Sequence, residues 1–216
     1  MPRCTAWRTR SSSTPVRPTM TSFTPSASRR RCLRGQGVLL LATHMSNFDL
    51  LGLSVGVRGL PMQILTLANP RAGFQLLNRL RAEAGFEVTP ITPQSLRAAI
   101  RRLKSGGIVL TGVDRPDPEE RELVEFFGQP AYLPLGPVRL ALLADALVMV
   151  GSCYYEPGKG YALRVTGPLE MIHTGDRWRD IRANVRRLAD ILEEHVRAHP
   201  EQWMMFHRLW PEPSAV

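Results

Sequence analysis

His44 and Asp49 stand five residues apart at the end of the segment GVLLLATHMSNFD, residues 37–49. An imidazole beside a carboxylate makes a general base with an orienting acid, the arrangement that activates a hydroxyl for attack. The elements around the pair would place it. Residues 38–42 form an apolar run of strand length, and a short buried strand delivers its last side chains to one edge of a sheet. A helix beginning at Ser46 or Asn47 puts Asp49 in its first turn. Open α/β folds bind their ligands at the carboxyl edge of the sheet. Taken alone, the pair has a plainer explanation: a strand-end histidine and an acid that complements a helix N-terminus. Its position just after a buried strand is what favours chemistry.

From residue 37 onward, strand and helix patterns alternate. Strands are predicted over 38–42, 62–67, 86–91 and 107–112, with helices over 47–57, 71–81 and 94–104 between them. A polar loop follows, then a helix over 137–144 with proline in its first turn. Two more strands, 146–154 and 161–166, are joined by a turn at 157–160. Trp178, Ile181, Val185, Leu188, Leu192 and Val196 mark one face of a long helix. This alternation predicts an α/β fold over residues 36–216, a mainly parallel central sheet flanked by helices on both faces.

The bulk numbers of the 216-residue chain, 44% hydrophobic and 22% charged, suit one globular domain. The net charge of +9 is concentrated. Residues 1–35 hold eight arginines and no acid, so the rest of the chain is nearly neutral and gives no sign of a nucleic-acid partner. That Ser-, Thr-, Pro- and Arg-rich tail has too little apolar surface to offset its ordering entropy, and disorder is predicted. It is similar to a transit peptide, to a basic arm for anionic lipid, or to sequence upstream of a misassigned start. Cys4, Cys32 and Cys153 have no metal-ligand spacing, and the one in an apolar run reads as a small buried hydrophobe. The most apolar stretch, 133–155, is broken by Pro134, Pro137, Arg139 and Asp145 and does not read as a membrane span. His173, His195 and His199 lack partner spacing, and no zinc motif or Gly-x-Ser-x-Gly elbow is present.

The motif THMSNFD resembles the His-x4-Asp/Glu signature of the lysophospholipid acyltransferase superfamily, and in particular its bacterial lipid A biosynthesis (lauroyl/myristoyl) acyltransferase branch. Three later stretches are similar in the same order: Val113–Asp114, FFGQPAYLPLGPVRLAL at 126–142, and HPEQWMMFHRLW at 199–210. The resemblance implies an O-acyltransferase. His44 would be the general base on an acceptor hydroxyl, with Asp49 holding its tautomer. The acyl donor would be a thioester of acyl carrier protein or CoA, with no further cofactor and no metal. The acceptor would be a membrane glycolipid such as a lipid A precursor. A phosphatidylinositol mannoside, a lysophospholipid or a truncated, non-catalytic lipid-binding relative are the alternatives. The implied location is peripheral, on the cytoplasmic face of the bacterial inner membrane. Such substrates carry phosphate. Among the arginines near the expected sheet edge (Arg71, Arg79, Arg81, Arg115), Arg81 and Arg115 are therefore the candidate binders, with Asp114 organising a polar contact. The aromatic C-terminus, His207 included, is expected to pack against the core and fix the site from behind. Relatives carry a hydrophobic anchor helix before the His motif where this chain has its basic tail, which favours a misassigned start.

Overall fold

The computed structural model describes residues 17–19, 35–50, 52, 59–70 and 72–212. The strands are β1 (Arg17–Thr19), β2 (Val38–Ala42), β3 (Met62–Thr66), β4 (Glu87–Pro90), β5 (Ile108–Gly112), β6 (Arg121–Phe126), β7 (Gln129–Pro134), β8 (Leu147–Glu156) and β9 (Gly160–Leu169). The longer helices are α1 (Ala72–Glu83), α2 (Pro93–Lys104), α3 (Gly136–Ala144) and α4 (Arg177–Ala198). The prediction of a disordered tail over 1–35 lies almost wholly outside the described residues. Of the helix expected over 47–57, Phe48–Leu50 and Gly52 are described and helical.

Seven strands form one sheet in the order β1-β9-β8-β2-β5-β3-β4. Neighbours run parallel except β8 and β9, which pair antiparallel as a hairpin. Right-handed crossovers then decide which face each connection covers. The chain steps outward from β2 to β3 and from β3 through α1 to β4. It steps back through α2 to β5, and through β6, β7 and α3 to β8. α1, on an outward connection, and α2 and α3, on returning ones, therefore lie on opposite faces of the sheet.

The larger core lies under the returning helices. Leu39, Leu41, Val109, Val148 and Val150 point from the sheet into a cluster with Ala99 and Leu103 of α2, Val138 and Ala141 of α3, and Ile181, Val185, Leu188 and Leu192 of α4. Each fully buried Leu, Ile or Val contributes roughly 1.5–3 kcal/mol. The opposite face holds a smaller cluster, Met62, Ile64 and Phe86, with Ile108 and Leu110 packed against it. α2 begins on a capping box: Thr92 accepts from the Ser95 N–H and Ser95 accepts from the Thr92 N–H, which satisfies two orphan donors.

The polar loop predicted after β5 is instead a second, two-stranded sheet. β6 and β7 pair antiparallel from Arg121↔Pro134 to Phe126↔Gln129. The two residues between them, Phe127 and Gly128, have φ of 54° and 73°, the left-handed pair that a primed hairpin turn requires. A charged strand, RELVEF, joined by Phe-Gly rather than Asn-Gly hides this hairpin from pattern reading. α4 packs across it.

Candidate active site

β2 and β5 lie side by side, yet the chain leaves β2 toward β3 and leaves β5 toward β8, on opposite sides of the pair. Such a switch point opens a crevice beyond the carboxyl ends of the two strands. Their register is Val38↔Ile108 through Ala42↔Gly112, a constant offset. Continued two residues further, it brings His44 level with Asp114.

That pair makes contact. The Nδ1 of His44 is 2.6 Å from Oδ1 of Asp114, and the His44 backbone N–H donates to Oδ2 at 2.8 Å. The His44 side chain is 19% exposed and that of Asp114 2%. Burial alone would raise the Asp114 carboxyl. The His44 side chain, its charge and its backbone N–H, together with the indole N–H of Trp203, outweigh that and hold the carboxyl below its ordinary range. With Nδ1 occupied, Nε2 is the ring nitrogen left to exchange a proton. The imidazole has a close floor and wall. A Cβ on Gly112 would lie 3.0 Å from its Cε1, and Phe48 meets the ring edge-on at 5.0 Å between centroids.

Asp49, predicted to orient His44, faces elsewhere. Asn47 caps the turn by accepting from the Leu50 N–H at 3.0 Å, and the Asp49 carboxylate turns to Arg81 on α1. Arg81 Nε donates to Asp49 Oδ1 at 2.9 Å, its NH2 joins the same oxygen, and its NH1 reaches Asn78 at 2.9 Å. The orienting carboxylate on His44 is therefore Asp114, not Asp49. The reason is register: a parallel neighbour strand presents its residue at the same height, whereas the first helical turn carries Asp49 away from the strand. Arg81, in the last turn of α1, is engaged as the partner of Asp49. Arg79 is exposed on α1, and Arg71 is not among the described residues.

Arg115 donates to the carbonyl of Met204 at 2.9 Å, and its Nε is buried without a hydrogen-bond partner. Its guanidinium thus ties down the C-terminal segment rather than standing open. That segment, residues 202–209, straps across the site. Ser46 N–H donates to Gln202 O at 2.7 Å, Met204 N–H to His44 O at 2.8 Å, and Tyr132 N–H to Leu209 O at 2.8 Å. Trp203 forms an isolated bridge with Met45, and its indole N–H donates to Asp114 Oδ2 at 2.9 Å. His207, expected to pack against the core, is instead exposed near the end of this strap, as is Phe206, while Trp203 takes the packed position. Partial burial, with the positive charges of Arg115 and His44, lowers the His207 imidazole from the ordinary value.

Behind the strand end runs a polar chain that spacing gave no reason to expect. Thr43 donates to Ser152 at 2.7 Å, Ser152 meets His195 Nδ1 at 2.7 Å, and His195 Nε2 meets Thr166 at 2.8 Å. The donation order that satisfies every group has Ser152 donating to Nδ1 and Nε2–H donating to Thr166. His195 is 1% exposed, and burial with the nearby Arg164 charge pushes its imidazole down to about 4. Cys153 is the buried small hydrophobe expected, its thiol pushed up to about 11 by burial. Among the described residues no cluster of three His, Cys, Asp or Glu is placed to hold a metal ion. None of the described helices is long and apolar enough to cross a membrane.

An imidazole held by a buried carboxylate at the switch point of an α/β sheet has the chemistry to take a proton from a hydroxyl. The family model for bacterial lipid A biosynthesis acyltransferases matches residues 28–212, and the chain belongs to that family. Over 180 residues, 82% of this chain, it is 27% identical to phosphatidylinositol mannoside acyltransferases of two strains of Mycobacterium tuberculosis, covering 55% of each. It is 26% identical to the phosphatidylinositol mannoside acyltransferase of Mycolicibacterium smegmatis, covering 57% of that protein. The chain thus spans little more than half the length of the curated relatives it matches.

Proposed function

We propose that this protein is an O-acyltransferase that moves a fatty acyl group from a thioester donor to a hydroxyl of a membrane glycolipid. The observation that carries the proposal is His44, tethered through Nδ1 to the buried Asp114, which leaves Nε2 to exchange a proton. Nε2 takes the proton of the acceptor hydroxyl as its oxygen attacks the thioester carbonyl carbon. The tetrahedral oxyanion collapses, the C–S bond breaks, and the departing thiolate takes the proton back from Nε2. Asp114 stays ionised throughout, holds the tautomer and stabilises the imidazolium. An ester and a free thiol result, with no covalent enzyme intermediate and no cofactor beyond the acyl donor, acyl-CoA or acyl carrier protein.

Asp49 aims Arg81 rather than His44 in this reading. A guanidinium fixed from one side presents its remaining N–H groups in a defined direction, suited to a phosphate of donor or acceptor. Arg115 supports the strap. A phosphatidylinositol mannoside acceptor is favoured over a lipid A precursor by the names of the relatives, and the protein would act as a peripheral enzyme at the membrane face. Thiol release from acyl-CoA and acyl carrier donors, measured against phosphatidylinositol mannoside, lipid A precursor and lysophospholipid acceptors, tests this. Acceptor-dependent release that vanishes in a folded His44→Ala variant is the expected result. Unchanged release in that variant would remove His44 as the base.

A further inference from the structure

The carboxylate that faces the base is held by more than the base. Oδ1 of Asp114 faces the His44 ring, while Oδ2 takes two N–H donors, the His44 backbone at 2.8 Å and the Trp203 indole at 2.9 Å. A carboxylate pinned at both oxygens cannot rotate about its last bond without losing charge-assisted hydrogen bonds. The indole donor arrives on the strap, thirteen residues before the last residue of the sequence. The strap is in turn fixed to the base by Met204 N–H on His44 O and to the sheet by Arg115 on Met204 O.

We propose that Trp203 is a positioning residue for the base: its indole N–H sets the Asp114 carboxylate against the His44 ring, which makes the C-terminal strap part of the active site. The inference rests on the assignment of His44 as base. Packing alone explains Trp203 less well. Its ring does meet Phe126 edge-on at 6.0 Å, but an apolar ring would fill that space equally, and only an indole brings a donor to a buried carboxylate. The ionisable groups around Asp114 are His44 from the end of β2, the adjacent Arg115, and His207 on the strap. Of these, His44 touches the carboxylate through its ring and backbone, and the indole is the further donor on it.

Trp203→Phe keeps a ring against Phe126 and deletes the donor. With one donor gone, Asp114 becomes a stronger acceptor and the His44–Asp114 pair holds its shared proton more tightly. The acid limb of the kcat/KM profile should move up by roughly half a pH unit or more, and kcat should fall roughly 10-fold with donor KM unchanged. Phe126→Leu, which loosens the same packing without touching the donor, should lower Tm and leave the acid limb in place. A Trp203→Phe variant that loses Tm with an unmoved acid limb would overturn the proposal. One measurement needs neither a variant nor turnover. In the ¹⁵N-labelled native protein, the Trp203 indole N–H resonance should titrate together with the His44 ring nitrogens. An indole resonance indifferent to that titration would overturn the proposal even where no acyl transfer is found, so its failure is separable from that of the proposed activity.

Discussion

Asp49 and Asp114 have different partners, Arg81 and His44, and in the proposed reaction those partners give the two carboxylates different work. Asp114 offers Oδ1 to Nδ1 of His44 and Oδ2 to two N–H donors, so replacing it by asparagine forces a choice. The amide oxygen goes to the side with two donors, and the amide NH2 then faces Nδ1. Nδ1 must accept instead of donate, the ring proton shifts to Nε2, and the base is lost. Asp114→Asn should therefore lower kcat by ~10²–10⁴-fold. Asp49→Asn should act on the Arg81 guanidinium it holds, raising KM for the phosphate-bearing substrate with a much smaller effect on kcat. Steady-state kinetics of the two variants side by side separates these roles. Equal losses of kcat would return Asp49 to the base.

The segments that carry His44 and Asp114 have the same design, which shows how much of the site the sequence made legible. GVLLLATH and GIVLTGVD each begin with glycine, run through apolar strand residues and reach the functional side chain seven positions on, at His44 and Asp114. The strands, their helices and the sheet edge were readable because burial imposes period and length. The partner of His44 was not, because a register between strands 70 residues apart leaves no local mark. Asp49 was the nearer carboxylate, and proximity along the chain pointed to it. The β6–β7 hairpin was missed for a related reason: its turn uses Phe127 at a left-handed φ of 54°, a position where asparagine or glycine is the usual signal. Gly128, at φ 73° and with open space where a Cβ would go, carries the permissive half of that turn. Gly128→Ala should lower stability by about 1 kcal/mol through backbone strain alone, with the denaturant m-value unchanged. Urea unfolding would show it as a lower midpoint, and an unchanged midpoint would mean the turn relaxes to another type.

Across the whole molecule, the buried chain Thr43–Ser152–His195–Thr166 joins the end of the central strand β2 to β8, β9 and the long helix α4. It works only while His195 is neutral, because Nδ1 must accept from Ser152. Burial, with the Arg164 charge, puts the folded imidazole at about 4 against 6.5 for the free group. A group whose folded value is depressed leaves the unfolded chain holding more protons between the two values, so stability falls as pH drops through that window. The His195 contribution is complete above about pH 6.5 and is lost progressively toward pH 4, at up to about 1.4 kcal/mol per pH unit. Asp114, whose folded value lies below the ordinary 3.8, adds a loss that begins only as that lower range is approached, so the two windows are distinct. Urea unfolding between pH 7 and 4 should therefore show a steep slope that flattens in His195→Gln, a variant that is less stable at pH 7 and gains relative to the native chain as the medium acidifies. Parallel pH dependences in the two proteins would mean that His195 already carries its proton when buried, and that the chain behind the strand is held by something other than a neutral imidazole.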